Sequence, residues 1–251
     1  MELALTDLHT HILPAVDDGA DNLKTALQML RAEKVAGVER VALTPHFYPL
    51  REGLNDFLER RQRAYAALLT AWDGTVMPSL RLGAEVRYTP ALLEMELRRL
   101  TVGESDYLLL ELADRGIPVH IEQVLDVMLM QGITPILAHV ERCEYFRKEP
   151  ERLRKLVYMG ALAQVSAGAL ENKWNQGFAK CCLESGLAQL IASDAHAASG
   201  GRRPCMDTLK QSVDKPLLER AEGFSRAVWD NGCVPAVAAY PVKKGLFKYS
   251  Y

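Results

Sequence analysis

Asp7-Leu8-His9-Thr10-His11, near the start of this 251-residue chain, places two histidines directly after the apolar run of residues 3–8. Residues i and i+2 of an extended segment point to the same side, so His9 and His11 can bind one metal ion together. Ser193-Asp194-Ala195-His196 repeats this spacing near the other end of the chain. A fold that joins these two segments would place four ligands at one point.

Short β-rich runs alternate with segments of helical period along most of the chain. Several runs, such as Val41-Ala42-Leu43 and Ile136-Leu137-Ala138, are apolar on both faces, which is typical of parallel strands covered by helices. Strands are predicted at residues 3–8, 38–44, 80–85, 107–112, 134–139, 162–166 and 187–193.

Helical segments with recognisable ends lie between these strands. Asp21 and Asn22 can cap a helix that stops at Gly37, and Pro90 can open another because the first helical position needs no N–H donor. Further helices are predicted at residues 120–130, 149–158 and 220–229.

Seven strand and helix units in a row predict a parallel α/β sheet within one domain, residues 1–251. At this length a closed or nearly closed barrel is favoured over an open doubly wound sheet. The sequence has no G-x-G-x-x-G and no G-x-x-x-x-G-K-[ST], so a nucleotide-binding open sheet loses support.

Every predicted strand except the sixth is followed by a histidine or a carboxylate. Such a residue is usually a cap or an ion-pair partner, but five of the six histidines follow this pattern. Barrel active sites lie at the carboxyl ends of strands, so these side chains are expected to converge. Imidazole with carboxylate suits Mn, Fe or Zn, which predicts a metal cluster. The candidate ligands are His9, His11, Asp18 in the first loop, His46, Glu85, Glu111, His139, Asp194 and His196. His120, at the start of a helix, is interpreted as structural.

Composition and charge favour a soluble globular protein. The chain is 49% hydrophobic and 25% charged, and its net charge of -2 gives no support to nucleic acid or an anionic membrane as a partner. The N-terminus lacks a basic start and a long apolar run, so a cytoplasmic protein without membrane insertion is predicted. The five cysteines show no C-x-x-C spacing and are expected to be free thiols.

These residues are similar to the signature of the polymerase and histidinol phosphatase (PHP) superfamily over nearly the whole chain. Three stretches within it resemble the bacterial protein tyrosine phosphatases of capsular polysaccharide and exopolysaccharide synthesis. They are His11-Ile12-Leu13-Pro14-Ala15-Val16-Asp17-Asp18-Gly19, Ala138-His139-Val140-Glu141-Arg142 and Arg203-Pro204. H-x-H alone is a weak signal, whereas the ordered set of motifs is a strong one.

The resemblance implies a distorted seven-stranded (β/α)7 barrel, similar to a TIM barrel, with three divalent metal ions, Mn first and Fe, Co or Zn as alternatives. Arg142 and Arg203 match the phosphate-binding arginines of the family. The implied ligand sets are His9, His11, Glu85 and Asp194 for one ion, Glu85, Glu111 and His139 for the second, and Asp18, His46 and His196 for the third.

The resulting hypothesis is a metal-dependent protein-tyrosine phosphatase in which a metal-bound hydroxide attacks phosphorus. Its implied partner is a tyrosine kinase of polysaccharide export, and self-association is plausible. The sixth residue after each cysteine is never arginine, so the C-x5-R loop of cysteine-based phosphatases is absent. A small-molecule phosphatase, such as one acting on histidinol phosphate, is the alternative. A nucleic-acid-processing PHP module is disfavoured by the near-neutral charge.

Four points stay open at the level of the sequence. Either Arg202 or Arg203 can face the phosphate, with Pro204 favouring Arg203. Phe47 and Tyr48 can line an aromatic-accepting rim or pack beneath the loop. No general acid is identified. The tail at residues 243–251 is interpreted as a frayed terminus, with a docking role for its tyrosines as the alternative.

Overall fold

The computed structural model describes residues 3–171, 176–245 and 249–251. Its strands are β1 (Leu5–Thr10), β2 (Val38–Leu43), β3 (His46–Phe47), β4 (Ser79–Leu82), β5 (Glu85–Arg87), β6 (Tyr107–Glu111), β7 (Thr134–Leu137), β8 (Leu162–Ser166), β9 (Leu190–Ala192), β10 (Lys243–Lys244) and β11 (Tyr249–Ser250). Its α-helices are α1 (Leu23–Val35), α2 (Leu54–Ala71), α3 (Ile121–Met130), α4 (Glu144–Lys148), α5 (Pro150–Tyr158), α6 (Ala167–Glu171), α7 (Gln176–Glu184), α8 (Leu209–Ser212) and α9 (Lys215–Trp229).

The strands β1 to β9 form a curled, parallel sheet in two hydrogen-bonded parts. One part has the order β1-β2-β4, and the other has the order β3-β5-β6-β7-β8-β9. The first and last of these strands lie side by side, since the N–H of Asp194 donates to the carbonyl of His9 and that of His11 to Ala195, both at 2.9 Å. The mixed α/β fold and the parallel sheet agree with the sequence, but a continuous seven-stranded barrel is not confirmed.

The chain passes from one part of the sheet to the other at two points, one just after the predicted strand 38–44 and one within the predicted strand 80–85. Pro45 lies between β2 and β3 and has no N–H for a sheet ladder. Gly83 lies between β4 and β5, where a Cβ atom would stand 3.1 Å from the Thr44 side chain. The offset brings His46 into register with Glu85 on adjacent parallel strands.

The predicted helix ends are confirmed at α1. The side chain of Asn22 accepts from the Thr25 N–H at 2.9 Å, and Gly37 has a φ of 83°. Pro90 opens a 3-10 helix, Pro90–Glu94. The predicted helices at 120–130, 149–158 and 220–229 correspond to α3, α5 and the second part of α9, whereas α2 and α7 lie outside the predicted helices.

An apolar cluster inside the sheet supports the amino-terminal part of the strands. Leu8, Leu109 and Leu190 meet there, and α9 covers them with Val228 and Trp229. Further along the chain, the candidate ligands His9 and Glu111 follow on β1 and β6, and Asp194 follows the end of β9. The carboxyl ends of the strands are therefore left for polar side chains.

The described residues of the predicted tail include two short strands rather than a frayed end. Strands β10 and β11 pair antiparallel. The Tyr249 ring lies 4.9 Å from the Phe178 ring, and its hydroxyl donates to the Arg147 carbonyl at 3.1 Å. Residues 246–248 of the predicted tail lie outside the described residues. Within the described ranges, no helix has the length and apolarity needed to span a membrane.

Candidate metal centre

All nine predicted ligands come together at the carboxyl ends of the parallel strands. Their nitrogen and oxygen atoms form three overlapping groups, within each of which the atoms lie within 4.8 Å of one another. The groups are His9, His11, Glu85 and Asp194; His11, Asp18, His46 and His196; and His46, Glu85 and Glu111. His139 stands outside these groups but places Nε2 2.8 Å from Glu85 Oε1.

The first group has the spacing of a metal site. His9 Nε2 lies 3.1 Å from His11 Nε2, 3.2 Å from Glu85 Oε2 and 3.3 Å from Asp194 Oδ1. Ligand atoms that are each about 2.1 Å from one ion lie roughly 3 to 3.5 Å from one another. The four side chains can therefore surround a single cation.

The other two groups share His46. Its Nδ1 lies 2.9 Å from Glu85 Oε2 and 3.9 Å from Glu111 Oε2. Its Nε2 lies 3.3 Å from Asp18 Oδ1, and His196 Nε2 lies 3.4 Å from the same oxygen. Glu85 therefore lies where it can join two neighbouring sites.

Several polar atoms of the centre are buried and have no hydrogen-bond partner among the described residues. Buried polar atoms are normally paired, so a concentration of unpaired ones points to a missing partner. Because they include carboxylate oxygens and imidazole nitrogens at ligand spacing, this partner fits a divalent cation. The atoms are His46 Nδ1, Glu85 Oε2, Glu111 Oε2, His139 Nδ1, Asp194 Oδ1 and His196 Nε2.

The backbone turns sharply at two candidate ligands. His139 has a φ of 33° and Asp194 a φ of 54°, both in the left-handed region that non-glycine residues rarely adopt. Strand β9 ends at Ala192, so Asp194 and His196 do not reach the centre as i and i+2 residues of a strand. Asp194 and His196 converge because the backbone turns at Asp194. His9 and His11 converge at the end of β1.

Asp17 holds the first loop against the centre, a role that the sequence did not separate from that of Asp18. One Asp17 oxygen lies 2.6 Å from His11 Nδ1 and accepts from the His46 N–H at 2.8 Å. The other accepts from the Gly19 N–H at 3.0 Å. A carboxylate bonded to the second ring nitrogen fixes the orientation of a ligand histidine.

Gln164 is a second supporting residue that the sequence analysis missed. Its Oε1 lies 3.2 Å from His9 Nδ1 and accepts from the His139 N–H at 3.0 Å. It lies on β8, which corresponds to the predicted strand without a ligand. The available signal was a buried amide within an otherwise apolar run, Leu162 to Val165.

Opposite charges lie close together in the centre. Burial opposes the charged forms of Glu85 and Asp194, but the neighbouring histidines, led by His9, outweigh it and lower the pKa of both carboxylates. Burial also opposes protonation of His11, but Asp17 and Glu85 raise its pKa to about 10. Burial and the charge on His11 lower the pKa of His196 to about 3. Neighbouring imidazoles of the centre therefore have opposite pKa shifts.

Arginines line one side of the centre. Arg142, Asp194 and Arg202 border a cavity of about 150 Å³, and the Arg142 guanidinium donates to Asp194 Oδ2. Arg202 Nη1 lies 3.2 Å from Asp18 Oδ2, whereas Arg203 Nη2 lies 3.7 Å from Glu171 Oε2. Arg202 is thus placed against a candidate ligand, and phosphate binding by Arg203 stays a prediction.

The structure separates the remaining candidates. Phe47 is buried and packs 4.9 Å from the Phe57 ring, while the half-buried Tyr48 lies 5.3 Å from the His46 ring. His120 is exposed and precedes α3, outside the ligand groups. Four of the five free cysteines are buried. Burial raises the pKa of Cys143 to about 12 and that of Cys205 to about 12, which disfavours a thiolate nucleophile.

Solved structures resemble this fold. A chain from a study of YwqE from Bacillus subtilis and CpsB from Streptococcus pneumoniae, described as metal-dependent tyrosine phosphatases, has a TM-score of 0.84 and 24% identity. That match covers 96% of this chain and 100% of the other. A D-hydantoinase has a TM-score of 0.53 at 12% identity, over 89% of this chain and 70% of its own. These likenesses show the fold alone.

Sequence relatives show the family. CapC from Staphylococcus aureus is 31% identical over 86% of this chain and 84% of its own length. The tyrosine-protein phosphatase YwqE from Bacillus subtilis (strain 168) is 29% identical over 76% of this chain and 77% of its own. The profile described as "Capsular polysaccharide synthesis, CpsB/CapC" matches residues 5–231, and the chain therefore belongs to the CpsB/CapC family.

Proposed function

We propose that this protein is a metal-dependent protein-tyrosine phosphatase. The observation that carries the proposal is the convergence of three overlapping ligand groups beside a cavity that Arg142 and Arg202 line. Its relatives support the same activity, since YwqE from Bacillus subtilis and CpsB from Streptococcus pneumoniae are both named tyrosine-protein phosphatases.

Three divalent ions, Mn in the first place and Fe, Co or Zn as alternatives, would occupy the centre. The proposed sets are His9, His11, Glu85 and Asp194, then Glu85, Glu111 and His139, then Asp18, His46 and His196. The short contact between His46 and Glu85 makes His46 an alternative to His139 in the second set. Divalent ions held there supply an activated water and neutralise phosphate oxygens.

The arginines would hold the phosphate group of the substrate. A guanidinium presents paired N–H donors that match phosphate oxygens, and Arg142 stands at the centre with its side chain half-buried. Arg203 is the predicted second phosphate ligand. Arg202 is the alternative, because its Nη1 lies 3.2 Å from Oδ2 of the candidate ligand Asp18. Alanine variants of Arg202 and Arg203, made separately, decide between them. Only the variant that lacks the phosphate-binding arginine is expected to have both a raised KM and a lowered kcat.

The leaving group suits this site. A phenol has a pKa of about 10, far below that of an alkanol, so phosphotyrosine needs less help from a general acid than phosphoserine does. The buried cysteines have raised pKa values and lack the C-x5-R pattern, which supports a mechanism without a covalent cysteine intermediate. No general acid is named.

The proposed substrate is a phosphotyrosine protein, a tyrosine kinase of polysaccharide export, in the cytoplasm. The family description, capsular polysaccharide synthesis, supports this partner. Homo-oligomers are compatible with the proposal, which includes neither nucleic acid nor membrane insertion.

We further propose that residues 1–251 form one phosphatase domain around a distorted seven-stranded barrel of the PHP type. If β2 with β3, and β4 with β5, each count as one interrupted strand, seven parallel strands follow one another in sequence order. The bridge between Thr10 and Ala195 then joins the seventh strand to the first.

The test compares turnover of a phosphotyrosine peptide with that of a phosphoserine peptide, histidinol phosphate and single-stranded DNA, with Mn added and then chelated. We expect Mn-dependent hydrolysis of the phosphotyrosine peptide first. Activity that survives complete metal removal, or a preference for histidinol phosphate, would contradict the proposal. The metal content of His9→Ala and Asp194→Ala tests the ligand sets, with His120→Asn as a histidine control outside the centre.

A further inference from the structure

A groove opens beside the metal centre, between the segments that follow β3 and β5. We call it the Tyr48 groove. Its volume is about 440 Å³. Its lining residues are Tyr48, Pro49, Leu50 and Arg51 on one wall and Arg87, Tyr88 and Thr89 on the other.

The Tyr48 groove begins where the candidate ligands end. His46 and Glu85 are in register on adjacent parallel strands, so the residues that follow them form facing walls. The Tyr48 ring lies 5.3 Å from the His46 ring, and Arg87 Nη1 lies 3.0 Å from Glu111 Oε1. A peptide whose phosphotyrosine reached the centre would pass along these walls.

The charge of the groove is positive. Its lining includes two arginines and no carboxylate. Arg87 is already paired with Glu111, and Glu52, the acidic neighbour of Arg51, is bound by Arg60 at 2.6 and 3.1 Å.

Arg51 is the lining arginine that has no ion pair among the residues that the structure describes. It is exposed, and its guanidinium lies 4.8 Å from the centre of the Tyr48 ring. An arginine stacked on an aromatic ring loses little freedom when its N–H groups bind an anion, because the plane of the guanidinium is already oriented. The Tyr48 ring beneath the guanidinium in turn lies beside the ring of the candidate ligand His46.

Apolar surface accompanies this charge. Leu50 is 78% exposed, and the rings of Tyr48 and Tyr88 are half-buried. The phenol hydroxyl of Tyr48 can donate a hydrogen bond to a peptide carbonyl. A peptide segment could thus contact both apolar and hydrogen-bonding groups.

We propose that the Tyr48 groove binds the segment next to the phosphotyrosine of the substrate, and that Arg51 selects an anionic group in that segment. The anion is a carboxylate or a second phosphate, since a guanidinium binds both. This inference rests on the proposed phosphatase function and adds a preference for acidic phosphotyrosine sequences.

The experiment measures kcat/KM for three phosphotyrosine peptides that differ only beside the phosphotyrosine, with Gln, Glu or phosphoserine at the flanking positions. With the unaltered Mn-loaded protein, the Glu and phosphoserine peptides are expected to exceed the Gln peptide by about threefold or more, the scale of an exposed ion pair. Phosphotyrosine loss is followed in each case, so the phosphoserine acts only as a flanking anion.

Arg51→Gln should bring the three values together, and Arg51→Glu should invert their order. Arg63→Glu is the matched control, because the Arg63 side chain is 75% exposed on α2 and does not line the groove. The three peptides should have the same order of kcat/KM in this variant as in the unaltered protein. A larger gain with Glu identifies a carboxylate site, and a larger gain with phosphoserine identifies a phosphate site.

Two results would overturn the inference. They are equal kcat/KM for the three peptides in the unaltered protein, and an unchanged order in Arg51→Glu. Both still show phosphotyrosine hydrolysis, so they leave the phosphatase function standing. Failure to hydrolyse any of the peptides contradicts the phosphatase function itself.

Discussion

Two side chains outside the proposed ligand sets, Asp17 and Gln164, contact the second ring nitrogens of His11 and His9. An acceptor at Nδ1 holds the proton there and leaves Nε2 free to bind a cation. Both Nε2 atoms point into the first ligand group, where they lie 3.1 Å apart. At the scale of the residue, the centre therefore depends on acceptors that never touch the metal.

Gln164→Leu is expected to weaken Mn binding by about 10- to 100-fold, because it removes the acceptor that orients His9. Titration calorimetry with Mn measures the change. Gln164→Glu keeps an acceptor oxygen and should retain most of the affinity. The matched control is Gln189→Leu, since the Gln189 side chain binds the backbone at Ala163 and Gly186 and, within the described part of the chain, contacts no candidate ligand. An unchanged affinity in Gln164→Leu would refute the positioning role.

Gly19 permits the first loop to return to His11. A Cβ at Gly19 would lie 2.1 Å from the His11 carbonyl oxygen, so Gly19→Ala must displace backbone. We expect it to lower the free energy of unfolding by roughly 1–3 kcal/mol, as measured by urea denaturation. Gly223→Ala, inside α9 with open space around it, should instead stabilise by about 0.5–1 kcal/mol. Equal stability of Gly19→Ala and the unaltered protein would exclude the predicted clash.

At the scale of the element, α9 is bound to β1 by one buried carboxylate. Glu222 accepts from the Thr6 N–H at 2.8 Å and from the Thr6 hydroxyl at 2.7 Å. The same helix supplies Val228 and Trp229 to the apolar cluster inside the sheet. The contact therefore fixes the strand that delivers His9 and His11.

Glu222 makes stability depend on pH. Burial raises its pKa to about 7, above the ordinary value of about 4.3. The folded state thus keeps a proton that the unfolded state has released, and the free energy of unfolding falls as pH rises between these values. In the unaltered protein, the free energy of unfolding from urea denaturation should fall by on the order of 2 kcal/mol between pH 4.5 and 8. Glu222→Gln should remove this fall. The control variant Glu219→Gln, at a half-exposed position of the same helix, should keep the fall in unfolding free energy. Parallel pH profiles for Glu222→Gln and the unaltered protein would contradict the assignment.

At the scale of the whole molecule, the metal centre joins the two ends of the chain. The proposed first ion would bind His9 and His11 from β1 and Asp194 from the segment after β9, so it would hold together strands far apart in sequence. Binding to the folded state alone stabilises that state by mass action. Metal content and global stability should therefore change together.

Mn at about 100 times its dissociation constant should raise the free energy of unfolding by roughly 2.7 kcal/mol for each ion bound. Denaturation of metal-free protein with and without added Mn measures this difference. His120→Asn should respond as the unaltered protein does, because His120 lies outside the ligand groups. A denaturation midpoint that is the same with Mn and with a chelator would argue against the metal centre.

The amino-acid sequence alone predicts the chemistry of the centre. Imidazoles and carboxylates at the ends of apolar runs predicted where ligands would gather, because the carboxyl ends of parallel strands share one edge of a sheet. It also determined the ends of α1, since Asn22 and Gly37 act through local hydrogen bonding and backbone conformation. Such effects depend on neighbours within a few residues.

Which residues support the ligands, and which line the entrance, depends on the tertiary fold. Asp17 is distinguished from Asp18 by its distance to His11, and Gln164 by its contact with His9 Nδ1. The contact between Arg202 and Asp18 also exists only in the tertiary fold, and the choice between Arg202 and Arg203 for phosphate stays a prediction. The separate strand β3 after Pro45 and the division of the predicted strand 80–85 at Gly83 also depend on the tertiary fold, because strand pairing involves distant partners. These outcomes are set by contacts between segments far apart in the chain, which local pattern and spacing do not contain.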